Sequence, residues 1–216
     1  MKGTAEGGHP TTTLMGLKLL TPPEALPVSL DELKLHVRVD TDDFDDDLTL
    51  KLEAAVRHVE EITRRALITQ EWKLSLPRFP YGDRELVLPK GSLQAVSEIT
   101  YLDAVGERVT LDEDDYVVSS ATEPARIVPA FATFWPIARR MLDSVQITFT
   151  CGFGDGAADV PADLRHAILL FAGWAFQGVE SDQSLGGTET SRSRAFKSLW
   201  QTWKLESDDV AELVSA

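Results

Sequence analysis

The sequence of 216 residues contains a single cysteine, Cys151, and few basic residues. One cysteine cannot form a disulfide within the chain, so the composition gives no support for secretion. Lysine and arginine number 21 against 35 aspartates and glutamates, which gives a formal net charge of −14. Because neutralising phosphates requires basic side chains, we do not expect a broad surface that binds DNA or RNA tightly.

Long hydrophobic runs are also missing. The most apolar stretch, residues 167–176, has about half the length that a membrane span requires, so no membrane association is expected. The first 13 residues are rich in Gly and Thr and contain no apolar core. We therefore predict a disordered tail over residues 1–18 rather than a signal peptide, and a protein made in the cytoplasm.

Motifs for catalysis and metal binding are equally scarce. A nucleophile elbow, a phosphate-binding P-loop and an HExxH motif are absent, and the four histidines do not stand at metal-ligand spacing. Asp43, Asp45 and Asp47 have the spacing of a calcium loop, but Leu48 and Ala54 replace the glycine and the glutamate that such a loop needs. We expect no enzyme, no cofactor and no metal site.

The strongest periodic signal lies in residues 43–67. Apolar side chains recur there at alternating steps of four and three, which predicts one buried stripe on a long helix. The opposite side carries acid-before-base pairs four residues apart, as a solvated helix prefers. The candidates for subunit contacts are charged residues of this helix: Arg57, Glu60, Glu61, Arg64 and Arg65. Ahead of it, Ser29 and Glu32 form a capping box that predicts a short helix over residues 30–37.

From residue 70 the hydrophobic period changes to two, which predicts strands. The clearest is the alternation of Val145, Ile147, Phe149 and Cys151, which also places the cysteine in the core. Helical periodicity returns after Asp159, a predicted N-cap. The predicted fold is α+β, with a mainly helical core of long antiparallel helices over about 29–68 and 160–177. A β-rich insertion over about 70–152 separates the second and third helices.

A final aromatic stripe follows a Ser/Gly/Thr-rich stretch, predicted to be a flexible linker over residues 181–193. The predicted helix 194–205 precedes an acidic tail, 206–216. Three interpretations stay open: the helix folds back onto its own domain, it docks into a partner's groove, or it contacts nucleic acid. The candidates for docking are the apolar stripe and its basic neighbours: Phe196, Leu199, Trp200, Trp203, Arg194 and Lys197.

The segment from Gly152 to Gly156 offers a different function. Three glycines after a strand and before a helix are typical of phosphate-binding loops, so a small-ligand-binding protein or enzyme is an alternative. The preceding strands have an antiparallel pattern, however, and Pro161 delays the helix, whereas the dinucleotide fingerprint belongs to a parallel unit. A flexible connection is the preferred interpretation.

Several strings, in their order and spacing, resemble the head-tail connector (adaptor) proteins of long-tailed bacteriophages and gene transfer agents. The similarity covers about residues 19–176. The matching strings are Leu20-Thr-Pro-Pro23, Val28-Ser-Leu30, Leu35-His-Val-Arg-Val-Asp40, Asp46-Asp-Leu48, Ala54-Ala55, Val59-Glu60, Thr63, Leu67, Leu88-Pro89, Ile99-Thr-Tyr-Leu-Asp103, Tyr116-Val-Val118, Trp135-Pro136, Cys151-Gly-Phe-Gly154, and Val160-Pro161 with Leu164, Ala167 and Ile168.

The resemblance implies a virion structural protein with an adaptor domain over residues 19–180. Such proteins form a ring, commonly a dodecamer, beneath the portal protein at the capsid vertex, and they support the head-completion (stopper) protein. DNA passes through the ring, which suits an acidic protein. The resemblance implies a location in the neck of the virion and docking on the portal through the C-terminal helix, and it supplies no catalytic residues.

Overall fold

The computed structural model describes residues 15–177 and 198–205. Its elements follow one another in the order β1 (Gly16–Thr21), α1 (Leu30–Val37), α2 (Asp45–Thr63), β2 (Gln70–Leu76), β3 (Leu86–Val87), β4 (Leu93–Leu102), β5 (Arg108–Thr110), β6 (Tyr116–Ser119), β7 (Arg126–Pro129), β8 (Val145–Cys151) and α3 (Ala162–Phe176). Residues 198–201 are also helical. The predicted linker 181–193 and acidic tail 206–216 lie outside the described residues.

Two antiparallel sheets form the β part of the fold. The larger has five strands in the order β1-β2-β8-β4-β5, and the smaller has three in the order β3-β7-β6. The central strand β8 buries Val145, Ile147, Phe149 and Cys151 on one side, as their alternation predicts. β1, which begins inside the predicted tail, pairs only with β2 among the described strands and so forms an edge.

The core consists of two hydrophobic clusters. The sheet cluster gathers apolar side chains from the strands and from the connections between them, including Phe79 and Trp135. The helical cluster packs α1, α2 and α3 together around side chains such as Leu33, Leu52 and Ile168. The sheets are therefore not an insertion into a helical core, because they supply one of the two clusters themselves.

The predicted fold class is wrong in this respect. Helix accounts for 30% and strand for 26% of the described residues, and α1 spans only eight residues. A core made mainly of long antiparallel helices does not match these proportions. The hydrophobic periods predicted helices and strands in most of the regions where the structure has them, but they carry no information about which elements share a core.

The short helix α1 forms where its capping box predicts. The Ser29 hydroxyl accepts the backbone N–H of Glu32 at 3.1 Å, and the Glu32 carboxylate accepts the N–H of Ser29 at 2.8 Å. These two bonds satisfy donors that a helix start otherwise leaves open. By contrast, the predicted N-cap Asp159 does not begin α3, whose cap position is Pro161.

The long helix α2 ends four residues earlier than the predicted stripe. Arg64 adopts a left-handed conformation with φ 56°, which stops the helix after Thr63. The carbonyl oxygen of Arg64 accepts the N–H of Gly91 at 3.0 Å, and the carbonyl of Thr63 accepts the N–H of Leu205 at 3.2 Å. The last turn is thus bonded to distant parts of the chain, which a local periodicity cannot reveal.

Candidate interaction surfaces

The C-terminal segment, residues 198–205, lies against the domain through Trp203. The Trp203 ring packs edge-on to Phe153 at 5.6 Å between centroids, and its Nε1 donates to the Asp163 carboxylate at 3.3 Å. The Arg65 guanidinium sits 5.6 Å from the centre of the same ring, and Arg65 Nε donates to the Trp203 carbonyl at 2.7 Å. Trp203 is therefore held by side chains from three separate parts of the domain.

The other apolar side chains of this segment also face inward. Leu199 and Trp200 are half-buried against the helical cluster, and Leu205 is 4% exposed. The described part of the segment is folded back onto its own domain, which is the first of the three interpretations of the aromatic stripe. The other docking candidates, Arg194, Phe196 and Lys197, lie outside the described residues.

Arg65, a candidate for subunit contacts, is a buried junction within the chain. Besides its bonds to Trp203 it forms an ion pair with Glu123 and approaches the Ser92 hydroxyl at 3.5 Å. Its side chain is 9% exposed. Because Arg65 follows the end of α2, its side chain points into the domain and does not lie on the solvated side of the helix.

Glu60 is a second candidate whose side chain is used within the domain. Its Oε1 accepts the N–H of Leu67 at 2.9 Å and the Nε2 of Gln70 at 2.8 Å. Burial raises the pKa of the Glu60 carboxyl, and these hydrogen bonds oppose the shift only in part. The carboxylate therefore stabilises the turn between α2 and β2.

The remaining candidates for subunit contacts lie nearer the surface. Arg57 and Glu61 are exposed on α2, and Arg64 is half-buried at its end. They share the solvent side of α2 with Asp46, Asp47, Leu50, Glu53 and Ala54. This side is mostly acidic, as the sequence indicated, but its central residue Leu50 is an apolar side chain with 65% exposure.

The acidic connection before α2 is organised by one lysine. Lys34 Nζ bonds to Asp42 at 2.6 Å and to Asp45 at 2.7 Å. The hydrogen bond and charge of Lys34 lower the pKa of Asp42. A lysine already occupies the acidic cluster, and no group of three or more potential metal ligands exists among residues 15–177 and 198–205.

The glycine loop after β8 is filled by its own chain. A Cβ at Gly152 would lie 2.6 Å from the carbonyl carbon of Ile68, and one at Gly154 would lie 2.4 Å from the Asp159 carboxylate. Asp159 also accepts the N–H of Gly156 at 3.0 Å. A carboxylate over this loop repels phosphate, so the geometry disfavours the small-ligand alternative. The glycines serve close packing.

Cys151 and the histidines of the domain are likewise structural. Cys151 is fully buried, and burial raises the pKa of its thiol to about 12. A thiolate nucleophile needs the opposite shift. His58 stacks on Phe171 at 4.3 Å, and His36 packs edge-on to His166 at 6.3 Å. None of these contacts resembles a nucleophile beside its base.

The connection between β7 and β8 is an exposed apolar loop that the sequence patterns did not predict. Residues 131–142, here called the apolar loop, present large hydrophobic side chains to solvent: Phe131, Phe134, Ile137, Met141 and Leu142. The loop has no regular period, so patterns of helix and strand do not reveal it. The available signal was six large apolar residues within twelve positions between two strands. Within the described part of the chain, no helix is long and apolar enough to cross a membrane.

Comparison with known proteins supports the predicted resemblance. A family model described as "Phage gp6-like head-tail connector protein" matches residues 27–102. This segment includes α1, α2, strands β2 and β4 of the larger sheet, and β3 of the smaller sheet. The resemblance predicted from the sequence is therefore confirmed over this segment, and the match supports the predicted connector function. The search of curated proteins found no significant match.

Solved structures share the fold over most of the chain. A chain in "Neck of empty GTA particle computed with C6 symmetry" has a TM-score of 0.73 at 23% identity, covering 88% of this chain and 96% of its own. A chain in "Virion of native gene transfer agent (GTA) particle" has 0.70 at 23%, covering 88% and 95%. A chain in "Neck of native GTA particle computed with C12 symmetry" has 0.68 at 24%, covering 88% and 96%. At these identities the matches define the fold.

Proposed function

We propose that this protein is a virion structural protein, a head-tail connector located in the neck of a phage-like particle. It forms a ring beneath the portal protein and provides the platform for a head-completion (stopper) protein and the tail. The proposal includes a dodecameric ring through which DNA passes. It needs no catalytic residue, cofactor or metal.

The observation that carries the proposal is the match of residues 27–102 to the connector family. The larger fold supports it, because the similar chains in gene transfer agent particles are covered over 95–96% of their length. The similarity therefore extends well beyond the matched segment, through the sheets to α3. Fold alone does not define function, so the family match is the stronger argument.

The surface charge supports a neck location. A net charge of −14 repels the phosphate backbone, so DNA moving through a ring of such subunits would not adhere to it. A protein that held DNA tightly would need clustered basic side chains instead. We propose that the ring lets DNA pass without binding it.

The first test is analytical ultracentrifugation of the purified protein, alone and mixed with portal particles from the same genome. Co-sedimentation as a ring-sized complex is the expected result. Failure to associate with the portal at any salt or protein concentration would refute portal docking. If the complex forms, electron microscopy would count its subunits.

The C-terminal segment remains the proposed portal-docking element. The contacts of Trp203 fix the segment on the domain. In this proposal the half-buried Trp200 and the candidates Arg194, Phe196 and Lys197 contact the portal. Trp200→Ala is expected to weaken co-sedimentation with the portal. Trp174→Ala is the matched control, since Trp174 is a half-buried tryptophan of the same helical cluster outside this segment. Equal losses of portal binding in the two variants would contradict a specific docking role.

A further inference from the structure

The apolar loop exposes more hydrophobic surface than an isolated domain normally does. The exposed fractions are 99% for Phe131, 89% for Ile137 and 73% for Phe134, and Met141 and Leu142 are also more than half exposed. Contiguous apolar patches on soluble proteins are usually small, and larger ones mark interaction sites. The loop is therefore a candidate contact surface, separate from the C-terminal segment.

The apolar loop is held in place by the domain beneath it. Trp135, 7% exposed, stacks on Phe79 at 4.9 Å, and its Nε1 donates to the carbonyl of Arg84 at 2.8 Å. Further along, the N–H of Arg139 donates to the Leu102 carbonyl at 2.8 Å. A fixed backbone presents its exposed side chains without a large ordering cost on binding. These anchors make the loop a preorganised surface.

The charge of the apolar loop is opposite to that of the protein. Arg139 and Arg140 are both exposed, and residues 131–142 contain no acidic side chain, although the whole chain carries a net charge of −14. A partner surface should therefore combine exposed apolar side chains with carboxylates.

The solvent side of α2 has this combination. Asp46, Leu50 and Glu53 follow one another at spacings of four and three, so they share one face of the helix, and all three are exposed. Ala54 and Arg57 continue the same side. An apolar centre flanked by acids complements an apolar loop flanked by arginines.

The two surfaces belong to different parts of one molecule. The apolar loop is anchored in the sheet cluster through Trp135, whereas α2 buries its other side in the helical cluster. A contact between unlike surfaces of identical copies is heterologous, and it closes into a ring when the rotation per subunit allows. This is the type of contact that a connector ring requires.

We propose that the apolar loop of one copy docks on the solvent side of α2 of the next copy around the ring. The aromatic and aliphatic side chains, Phe131, Phe134 and Ile137, cover Leu50 and Ala54. The arginines Arg139 and Arg140 meet Asp46 and Glu53. This inference rests on the proposed ring, and it names the surfaces through which neighbouring subunits contact each other.

Cysteine cross-linking tests the contact. In the full chain, Phe134→Cys with Leu50→Cys is expected to give, on mild oxidation, a ladder of multimers on a non-reducing gel, both at high protein concentration and on portal particles. Phe134→Cys with Leu35→Cys is the control, because Leu35 is 82% exposed and lies on α1, outside the proposed contact. Native Cys151 is buried and stays in place in all variants.

The outcomes of cross-linking separate this inference from the proposed function. A ladder limited to the Phe134 and Leu50 pair supports it. Dimers from Phe134→Cys alone would indicate a symmetric contact and overturn it, as would cross-links formed only to another neck protein. Rings that co-sediment with the portal without a ladder would overturn the inference and leave the connector function standing. A ladder without portal binding would support the inference and overturn the connector function.

A charge exchange gives a second readout that does not depend on oxidation. Arg140→Glu is expected to weaken self-association about fivefold, since it replaces an attractive exposed pair by a repulsive one. Adding Glu53→Lys should restore most of this loss. If the second change weakens association further, the two residues do not face each other and the proposed register is wrong.

Discussion

Replacing Arg65 by methionine tests whether the C-terminal segment is part of the folded domain. The guanidinium joins the end of α2 to two distant segments, through its ion pair with Glu123 and its hydrogen bond to the carbonyl of Trp203. Methionine retains most of the aliphatic stem and removes the charge and all donors. Arg65→Met therefore removes the polar contacts with little change in the volume of the core.

The size of the effect follows from the interactions that the substitution removes. A hydrogen bond from a charged donor contributes about 1.5–3 kcal/mol. The stacking of Arg65 over the Trp203 ring adds about 0.5–1 kcal/mol. The Glu123 side chain is 33% exposed, so water replaces much of what the guanidinium supplied, and we add little for it. The free energy of unfolding should fall by about 2–4 kcal/mol, which lowers the Tm by roughly 4–16 °C at this chain length.

Thermal and urea unfolding measure the total change, and amide hydrogen exchange locates it. Exchange in residues 198–205 should rise in Arg65→Met before the strands are affected, because the segment loses its main tether. Arg57→Met is the matched control, since Arg57 is exposed on α2, and it should change stability by less than about 0.5 kcal/mol. Equal stabilities of the two variants would refute the structural role of Arg65.

Three further changes test other parts of the fold. Ser29→Ala removes the cap of α1 and should lower stability by about 1 kcal/mol in a thermal melt; an unchanged Tm would contradict the role of the cap. Gly152→Ala should cost more than about 2 kcal/mol in urea, because φ is 142° and the new Cβ would meet Ile68 at 2.6 Å; a neutral result would show that the loop is free to move. Burial lowers the pKa of His58, so its neutral form is favoured in the fold; its stabilising contribution is present above about pH 6.5 and lost as the pH falls through the lowered pKa. His58→Phe keeps the stacking on Phe171 and should reduce the loss of Tm between pH 7 and pH 5, whereas parallel curves would refute the assignment.

The strands and the short helix were predictable because their signals are local. The alternation in β8 reflects one buried side of a strand, and the capping box at Ser29 and Glu32 is complete within four residues. Neither depends on knowing what the element packs against. The same is true of the connector resemblance, which depends on strings in order along the chain.

The end of α2 was not predictable in this way. Apolar spacing continues to Ala66, but the helix stops at Thr63 because the turn is stabilised by contacts with distant residues. Glu60 accepts the N–H of Leu67, and Gly91 donates to the Arg64 carbonyl. The bonds to distant segments form only in the folded protein. Spacing alone therefore could not show that Arg64 and Arg65 lie beyond the end of the helix.

The apolar loop was missed for a related reason. Its exposed residues have no period, and its anchor Trp135 packs on Phe79, which is more than fifty positions away in the chain. Composition alone would place Phe131 and Phe134 in the core, since large apolar side chains are usually buried. Their exposure is visible only once the neighbouring strands are in place.

The packing of Trp203 makes the mechanism of portal docking testable. A helical aromatic stripe fits a groove in its own domain as well as one in a partner, so periodicity alone cannot distinguish the two. If docking requires the segment to leave the domain, breaking the Arg65 tether should raise portal affinity, because the competent state becomes more populated. If the segment docks while seated on the domain, the same variant should lower affinity, since order must be restored on binding. Portal affinity of Arg65→Met, compared with that of the unsubstituted protein, therefore distinguishes a released arm from a fixed platform.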